Sequence, residues 1–152
     1  MAQEHIRNLA LVPGTRVVAL VDPEPSSIAW AKESLRASFS EQAADIPAYA
    51  DVPSMLAVTE ADAVIVASPN YTHHDVLLPL LDTDLHILCE KPLCTTVADA
   101  TDIVARTQGR KGIFWVGMEY RFMPPVSHFI ADIHEGRIGA LRRLALNEHR
   151  FP

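Results

Sequence analysis

The sequence predicts an α/β domain on a doubly wound parallel sheet, and three observations predict it. Short apolar runs rich in Val and Ile recur along the 152 residues, helical apolar periodicity fills the intervals, and Gly, Pro, Asn or Asp punctuate the joins. A composition of 49% hydrophobic and 21% charged residues suits a chain with one sizeable core.

Each element follows from its local pattern. Residues 2–11 repeat apolar side chains at helical spacing (Ile6, Leu9, Ala10) until Pro13-Gly14 stops them. Residues 16–21 form an apolar run of the kind a strand covered on both faces shows, and Asp22 ends it. Residues 26–39 return to helical periodicity through Ile28, Trp30, Ala31 and Leu35, with Ser26 or Ser27 available as a cap. The alternation repeats as strand 46–49, helix 52–59, strand 63–67, a turn at Ser68-Pro69-Asn70, helix 72–81, strand 86–90, helix 97–107 and strand 113–117. Pro124-Pro125 interrupts it, a helix over 126–134 follows, and residues 140–149 alternate through Leu141, Leu144 and Leu146 as a half-buried strand of a second sheet does. The predicted organisation is a first domain over 1–121 and the beginning of an α+β domain over 122–152.

Charge and composition exclude several function classes. A formal net charge of −6 without clustered Lys and Arg is unsuited to phosphate neutralisation, so no nucleic-acid partner is expected. No apolar run reaches the roughly 18 residues of a membrane span, and Met1-Ala2-Gln3-Glu4-His5 has no signal-peptide core, so the expectation is a cytoplasmic chain without a membrane partner. The two cysteines, Cys89 and Cys94, lack a second pair to complete a zinc site, and the seven histidines are scattered, so no metal is expected.

Open parallel sheets bind ligands at the carboxyl ends of their strands, so the residues after each strand carry the candidate chemistry. Asp22 can accept two hydrogen bonds from a ribose diol and would repel a 2′-phosphate; the plainer alternative is that it begins the Asp22-Pro23 turn or caps the next helix. Ser68-Pro69-Asn70 offers a small, flat backbone surface to a ring, and His73 one turn on can reach the same ligand. Glu90-Lys91-Pro92 is the most informative: an amine at a sheet mouth can exchange a proton with a substrate hydroxyl, Glu90 can orient it, and Pro92 fixes the backbone, with a cis peptide as one way of doing so. Glu119-Tyr120-Arg121 follows the last of these strands.

Taken together, these strand ends resemble the glucose-fructose oxidoreductase and inositol dehydrogenase family, Gfo/Idh/MocA. The matching stretches are Glu4-His5-Ile6, the strand ending at Asp22, Ala67-Ser68-Pro69-Asn70 with His73, the run from Cys89 through Leu93, that from Gly117 through Phe122, and Gly136 through Gly139. The resemblance implies a Rossmann-type sheet, NAD as cofactor with NADP left open, and hydride transfer to or from a hydroxyl of a sugar or polyol. It implies that Lys91 is the catalytic lysine, contacting nicotinamide ribose and the reacting hydroxyl. It implies cofactor contacts from Asp22, Ser68, Pro69, Asn70, His73, Glu90 and Pro92, and a place for Arg121 where cofactor and substrate domains meet. It also implies homo-oligomers in the full-length form.

Two departures from that pattern qualify the expectation. The family's first strand and Gly-x-Gly-x-x-Gly turn would precede Glu4, with Ala2 at the last glycine, and the spacing from Ala2 to Asp22 matches the roughly 20 residues expected. The substrate sheet, with an Asp-x-x-x-His pair, would extend beyond Pro152. The sequence therefore reads as a fragment truncated at both ends, lacking the central strand of its sheet, so that two apolar edges stay unpaired or pair directly. The isolated chain is expected to be poorly stable and inactive. The alternative readings are a non-catalytic paralogue acting as a binding or regulatory subunit, and a phosphoacceptor receiver domain, for which Asp22 lacks acidic neighbours.

Overall fold

The computed structural model describes residues 1–147 and 149, in two compact units that divide between Gly117 and Met118, a few residues before the expected boundary. The first unit alternates helix and strand: α1 Ala2–Leu9, β1 Leu20–Val21, α2 Pro25–Ser38, β2 Ala48–Tyr49, α3 Val52–Leu56, β3 Ala63–Val66, α4 His73–Leu81, β4 His86–Cys89, α5 Val97–Thr107 and β5 Phe114–Val116. The second carries a 3-10 turn, Glu119–Phe122, and α6 Pro124–His134.

The helix ends show why these residues fold locally as they do. Asp51 caps α3 by accepting the Ser54 N–H at 2.8 Å, and the Ser54 side chain first, then this backbone contact, holds its carboxyl below the usual range. Thr96 caps α5, accepting the Asp99 N–H at 3.1 Å while its hydroxyl donates to Asp99 Oδ2 at 2.7 Å. The start of α2 differs from expectation: neither Ser26 nor Ser27 caps it, because Pro25 enters at the first helical position and Glu24 becomes the cap residue.

All strand pairs are parallel. β1 pairs with β2, Leu20 opposite Ala48; separately, β3 pairs with β4 and β4 with β5, with Val66 opposite Cys89 and Cys89 opposite Val116. The five strands therefore form a two-stranded and a three-stranded sheet, and β1 and β3 each keep one unpaired edge. Of the two outcomes expected for a missing central strand, this is the open one. It also explains why β1 spans only Leu20–Val21 rather than the six-residue run read from the sequence: the ladder lasts only as far as β2 supports it.

Two apolar clusters form the core. Val52, Met55, Val66, Leu77, Leu80, Leu81, Ile87, Cys89 and Ile103 lock α3, α4 and α5 onto the three-stranded sheet, and Ile6, Leu35 and Ala44 join α1 to α2 and the turn before β2. Each fully buried aliphatic side chain contributes about 1.5–3 kcal/mol. At the amino end of the larger sheet, the Arg110 guanidinium donates to the Leu80, Leu81 and Leu85 carbonyls, capping the end of α4. Gly112 lies so close to this backbone that a Cβ there would sit 2.3 Å from the Leu85 oxygen.

The strand expected over 140–149 is not formed through residue 147, and Leu141, Leu144 and Leu146 are exposed. An alternating segment becomes a strand only beside a ladder partner, and none lies next to it among the described residues. Residue 148 of that expectation lies outside the described residues. No helix among the described residues is long and apolar enough to cross a membrane.

Candidate functional site

The carboxyl end of β4 is held between its neighbours. The Glu90 N–H donates to the Val66 carbonyl at 2.9 Å, and the Gly117 N–H donates to the Cys89 carbonyl at 2.7 Å. The Glu90 side chain turns inward, leaving the residue only 7% exposed. A carboxylate so placed needs partners on both oxygens. His5 of α1 supplies one, its Nε2 lying 2.7 Å from Oε1, and the Lys91 backbone N–H supplies the other, 3.2 Å from Oε2. Gly117 closes the third side; a Cβ there would lie 3.4 Å from Oε1. Lys91 and Pro92 are exposed at the mouth, and the peptide bond between them is cis.

The carboxyl end of β3 lies beside this one. Thr72 folds back over Ser68-Pro69-Asn70, its Oγ1 2.8 Å from Ser68 Oγ and 2.7 Å from the Pro69 carbonyl, and Pro69 and Asn70 face solvent. His73 takes a different place from the one its spacing suggested. It is 1% exposed, with Nε2 3.0 Å from the Ser68 carbonyl and Nδ1 3.0 Å and 3.2 Å from those of Pro92 and Leu93. One imidazole thus bolts the Ser68 loop to the Lys91-Pro92 loop from behind, and both ring nitrogens are occupied by backbone rather than turned toward a ligand. Cys89 Sγ packs 3.5 Å from His73 Nδ1, and burial pushes its thiol up to about 12, with Cys94 and Glu90 adding to the effect. Burial also raises the Cys94 thiol, so neither sulfur is a ready nucleophile.

Asp22 divides its carboxylate. Oδ1 accepts the Glu24 N–H at 2.8 Å, so the turn seen as an alternative in the sequence is made, while Oδ2 carries no hydrogen bond among the described residues. Arg121 lies in the second unit, exposed on the 3-10 turn. His74, next to His73, faces away to bridge α4 and α5: its Nε2 lies 3.1 Å from Asp102 Oδ2 and its Nδ1 3.4 Å from Asp75. The Asp102 contact, then the Asp75 contact, raise its pKa; reciprocally, His74 and then Arg106 lower that of Asp102. Among the described residues no three His, Cys, Asp or Glu side chains gather as metal ligands.

His5 and Gly117 are the site residues that the chemistry of the strand ends did not single out. Both stood in stretches quoted for the family resemblance, but only the fold shows that they close on Glu90, His5 from 85 positions away.

Parallel strands joined by helices, with Ser-Pro-Asn and Glu-Lys-Pro on adjacent carboxyl ends, define the class: a dinucleotide-binding α/β domain of Rossmann type. The model of the Gfo/Idh/MocA family, described as an oxidoreductase family with an NAD-binding Rossmann fold, matches residues 1–118, and the chain belongs to that family. It is 32% identical over 142 residues to inositol 2-dehydrogenase 1 of Saccharopolyspora erythraea, an alignment covering 91% of this chain and 40% of that protein. It is 35% identical over 128 residues to a putative UDP-kanosamine synthase oxidoreductase subunit of Amycolatopsis mediterranei, covering 84% of this chain and 29% of that one. Among solved structures, the WlbA dehydrogenase of Chromobacterium violaceum, crystallised with NADH and UDP-GlcNAcA, superposes with a TM-score of 0.76 at 22% identity, covering 91% of this chain and 38% of that one. The chain thus spans about two fifths of the length of the inositol dehydrogenase it matches.

The residues present fit the ribose and nicotinamide side of the family's NAD. Asp22 offers an unspent carboxylate oxygen, residues 68–70 a small exposed turn, and Lys91 an exposed amine-bearing side chain on a fixed backbone. None of the six glycines in the sequence forms a Gly-x-Gly-x-x-Gly turn, so no residue here is assigned to the pyrophosphate.

Proposed function

We propose that the chain is the cofactor-side part of an NAD(P)-dependent dehydrogenase acting on a hydroxyl of a sugar or polyol, with Lys91 as its proton-exchanging residue. The observation that carries this reading is the placement of Lys91 at the end of β4, its backbone N–H held by a buried carboxylate that is itself held by His5. Bound NAD would supply the hydride acceptor for the carbinol carbon. Lys91 Nζ takes the hydroxyl proton as the alcohol becomes a carbonyl and returns it in the reverse direction, so the two hydrogens leave by separate routes. Asp22 Oδ2 receives the ribose diol, Ser68, Pro69 and Asn70 pack against the ring, and Glu90, Pro92 and His73 hold the loops that present them. Arg121 keeps its place at the junction with the substrate domain. NADP is the less favoured cofactor, since Asp22 would face its 2′-phosphate.

Residues 1–152 alone are proposed to bind the dinucleotide weakly and to turn over little or no substrate, because no pyrophosphate turn is among them. The test is a titration of the labelled chain with NADH, followed at its backbone amides, beside turnover assays with NAD and a panel of polyols. Amide shifts at Asp22, Ser68, Asn70 and Lys91 are expected; shifts confined to other surfaces would overturn the site, and ready turnover would overturn the proposed inactivity. A non-catalytic binding or regulatory subunit is the second reading, and the absence of any NADH response would support it.

A further inference from the structure

We infer that His5 is a positioning residue for Lys91, acting through Glu90: it fixes the carboxylate that fixes the backbone from which the lysine projects. The inference rests on the reading of Lys91 as the proton-exchanging residue.

The chain of contacts is short and fully specified. His5 Nε2 holds Glu90 Oε1 at 2.7 Å, and Glu90 Oε2 receives the Lys91 N–H at 3.2 Å. A carboxylate engaged at both oxygens by donors on two different elements cannot rotate about its terminal torsion without losing one of them. Gly117 lies alongside, where an added Cβ would meet the carboxyl group at 3.4 Å. The Glu90 backbone is pinned to β3, and the Pro92 carbonyl to His73, so the loop is fixed on both sides of Lys91. A lysine side chain reaches about 6 Å from its Cα. A backbone rotation of about 20° would therefore swing Nζ through about 2 Å, when about 1 Å of misplacement already costs on the order of 100-fold in rate.

His5 is not needed to hold α1 in place. Ile6, in the same helix, is buried with Leu35 and Ala44 in the smaller core cluster, while His5 is only partly buried. The titratable groups around Glu90 are His5 from α1, Lys91 on the loop, and the Cys89 thiol behind, which burial keeps protonated. The imidazole meets Glu90 from a different element, so its loss should be felt at the Lys91 amide.

The experiment uses the 152-residue chain without ligand. It contains three lysines, Lys32, Lys91 and Lys111, so selective labelling yields three assignable backbone amides. His5→Ala should move the Lys91 amide signal and speed its hydrogen exchange while Lys32 and Lys111 are unmoved, and His5→Gln, which keeps a donor, should restore both. In Glu90→Ala the Lys91 amide should already be displaced, and adding His5→Ala should move it no further. A Lys91 signal unchanged in His5→Ala, or displaced further by His5→Ala in the Glu90→Ala background, would overturn the inference. If His5→Ala fails to fold, Glu90→Ala and His5→Gln decide: a Lys91 amide that Glu90→Ala leaves in place, or that His5→Gln displaces as far as Glu90→Ala does, would overturn it. An intact coupling without any NADH response would break the cofactor reading and leave the coupling standing.

Discussion

The two sheets of the first unit are built from the same kind of sequence and end up very different. β3, β4 and β5 run for three or four residues each and are backed by nine buried side chains, whereas β1 and β2 have two residues each and rest on a cluster of three. The difference lies less in the apolar runs than in what stands beside them. β4 has a partner on both sides, so its ladder extends and its inward residues, Ile87 and Cys89, are excluded from water. β1 has a partner on one side only, and Val21 stays exposed. A parallel strand is made by its neighbours at least as much as by its own residues.

The largest effect that would sharpen this comparison comes from the cores. Leu77→Ala, in the larger cluster, should cost about 2–5 kcal/mol and loosen the whole unit, because Leu77 is fully buried against the three-stranded sheet. Leu35→Ala, equally buried, should release α1, α2, β1 and β2 while amides of β3, β4 and β5 keep their protection. Hydrogen exchange on both variants checks this, and equal loss of protection everywhere would show that the two halves melt as one.

A smaller effect is expected from His73→Leu. It preserves bulk but removes the ring nitrogens that meet the Ser68, Pro92 and Leu93 carbonyls, at a cost of about 1–3 kcal/mol. The amides of Ser68 and Lys91 should then exchange faster, while those of α5 do not. Unchanged exchange at both loops would show that the imidazole is only filler.

The smallest effect is a pH dependence at the α4–α5 bridge. The folded pKa of His74 is raised, so its contribution is complete below its unfolded pKa and is lost as pH rises through the folded one. That of Asp102 is lowered, so its contribution is present above its unfolded pKa and lost as pH falls through the folded one. The bridge is strongest at mildly acidic pH. The urea midpoints of wild type and His74→Ala should differ most there and converge above neutrality; a constant gap would assign His74 a packing role only.

How much was legible in the sequence follows the same division. Helix α5 reads as Val97–Thr107 because its signals are local: a threonine cap, an aspartate three residues later, and one apolar stripe. The sheet mouth was legible at Ser68, Asn70 and Lys91 because turns and strand ends carry their own residue types. His73 was placed at the right loop with a different task, since spacing shows which residues meet but not whether a ring faces outward or inward. The closure of His5 on Glu90 could not be read from residues 85 apart, because it exists only once the fold brings α1 to the end of β4. The strand expected over 140–149 had the pattern but no neighbour among the described residues to make it real.

Gly109 and Gly112 look interchangeable in the sequence and are opposites in the fold. Gly109 sits at a φ of +75° with nothing within 4 Å of where a side chain would begin. Its constraint is handedness: a mirror-image residue would suit it, and an ordinary L-alanine would be strained there by about 1–2 kcal/mol. Gly112 is constrained by space, with the Leu85 carbonyl 2.3 Å from the site of any Cβ. A library of natural substitutions should therefore return a graded response at the first position and glycine alone at the second.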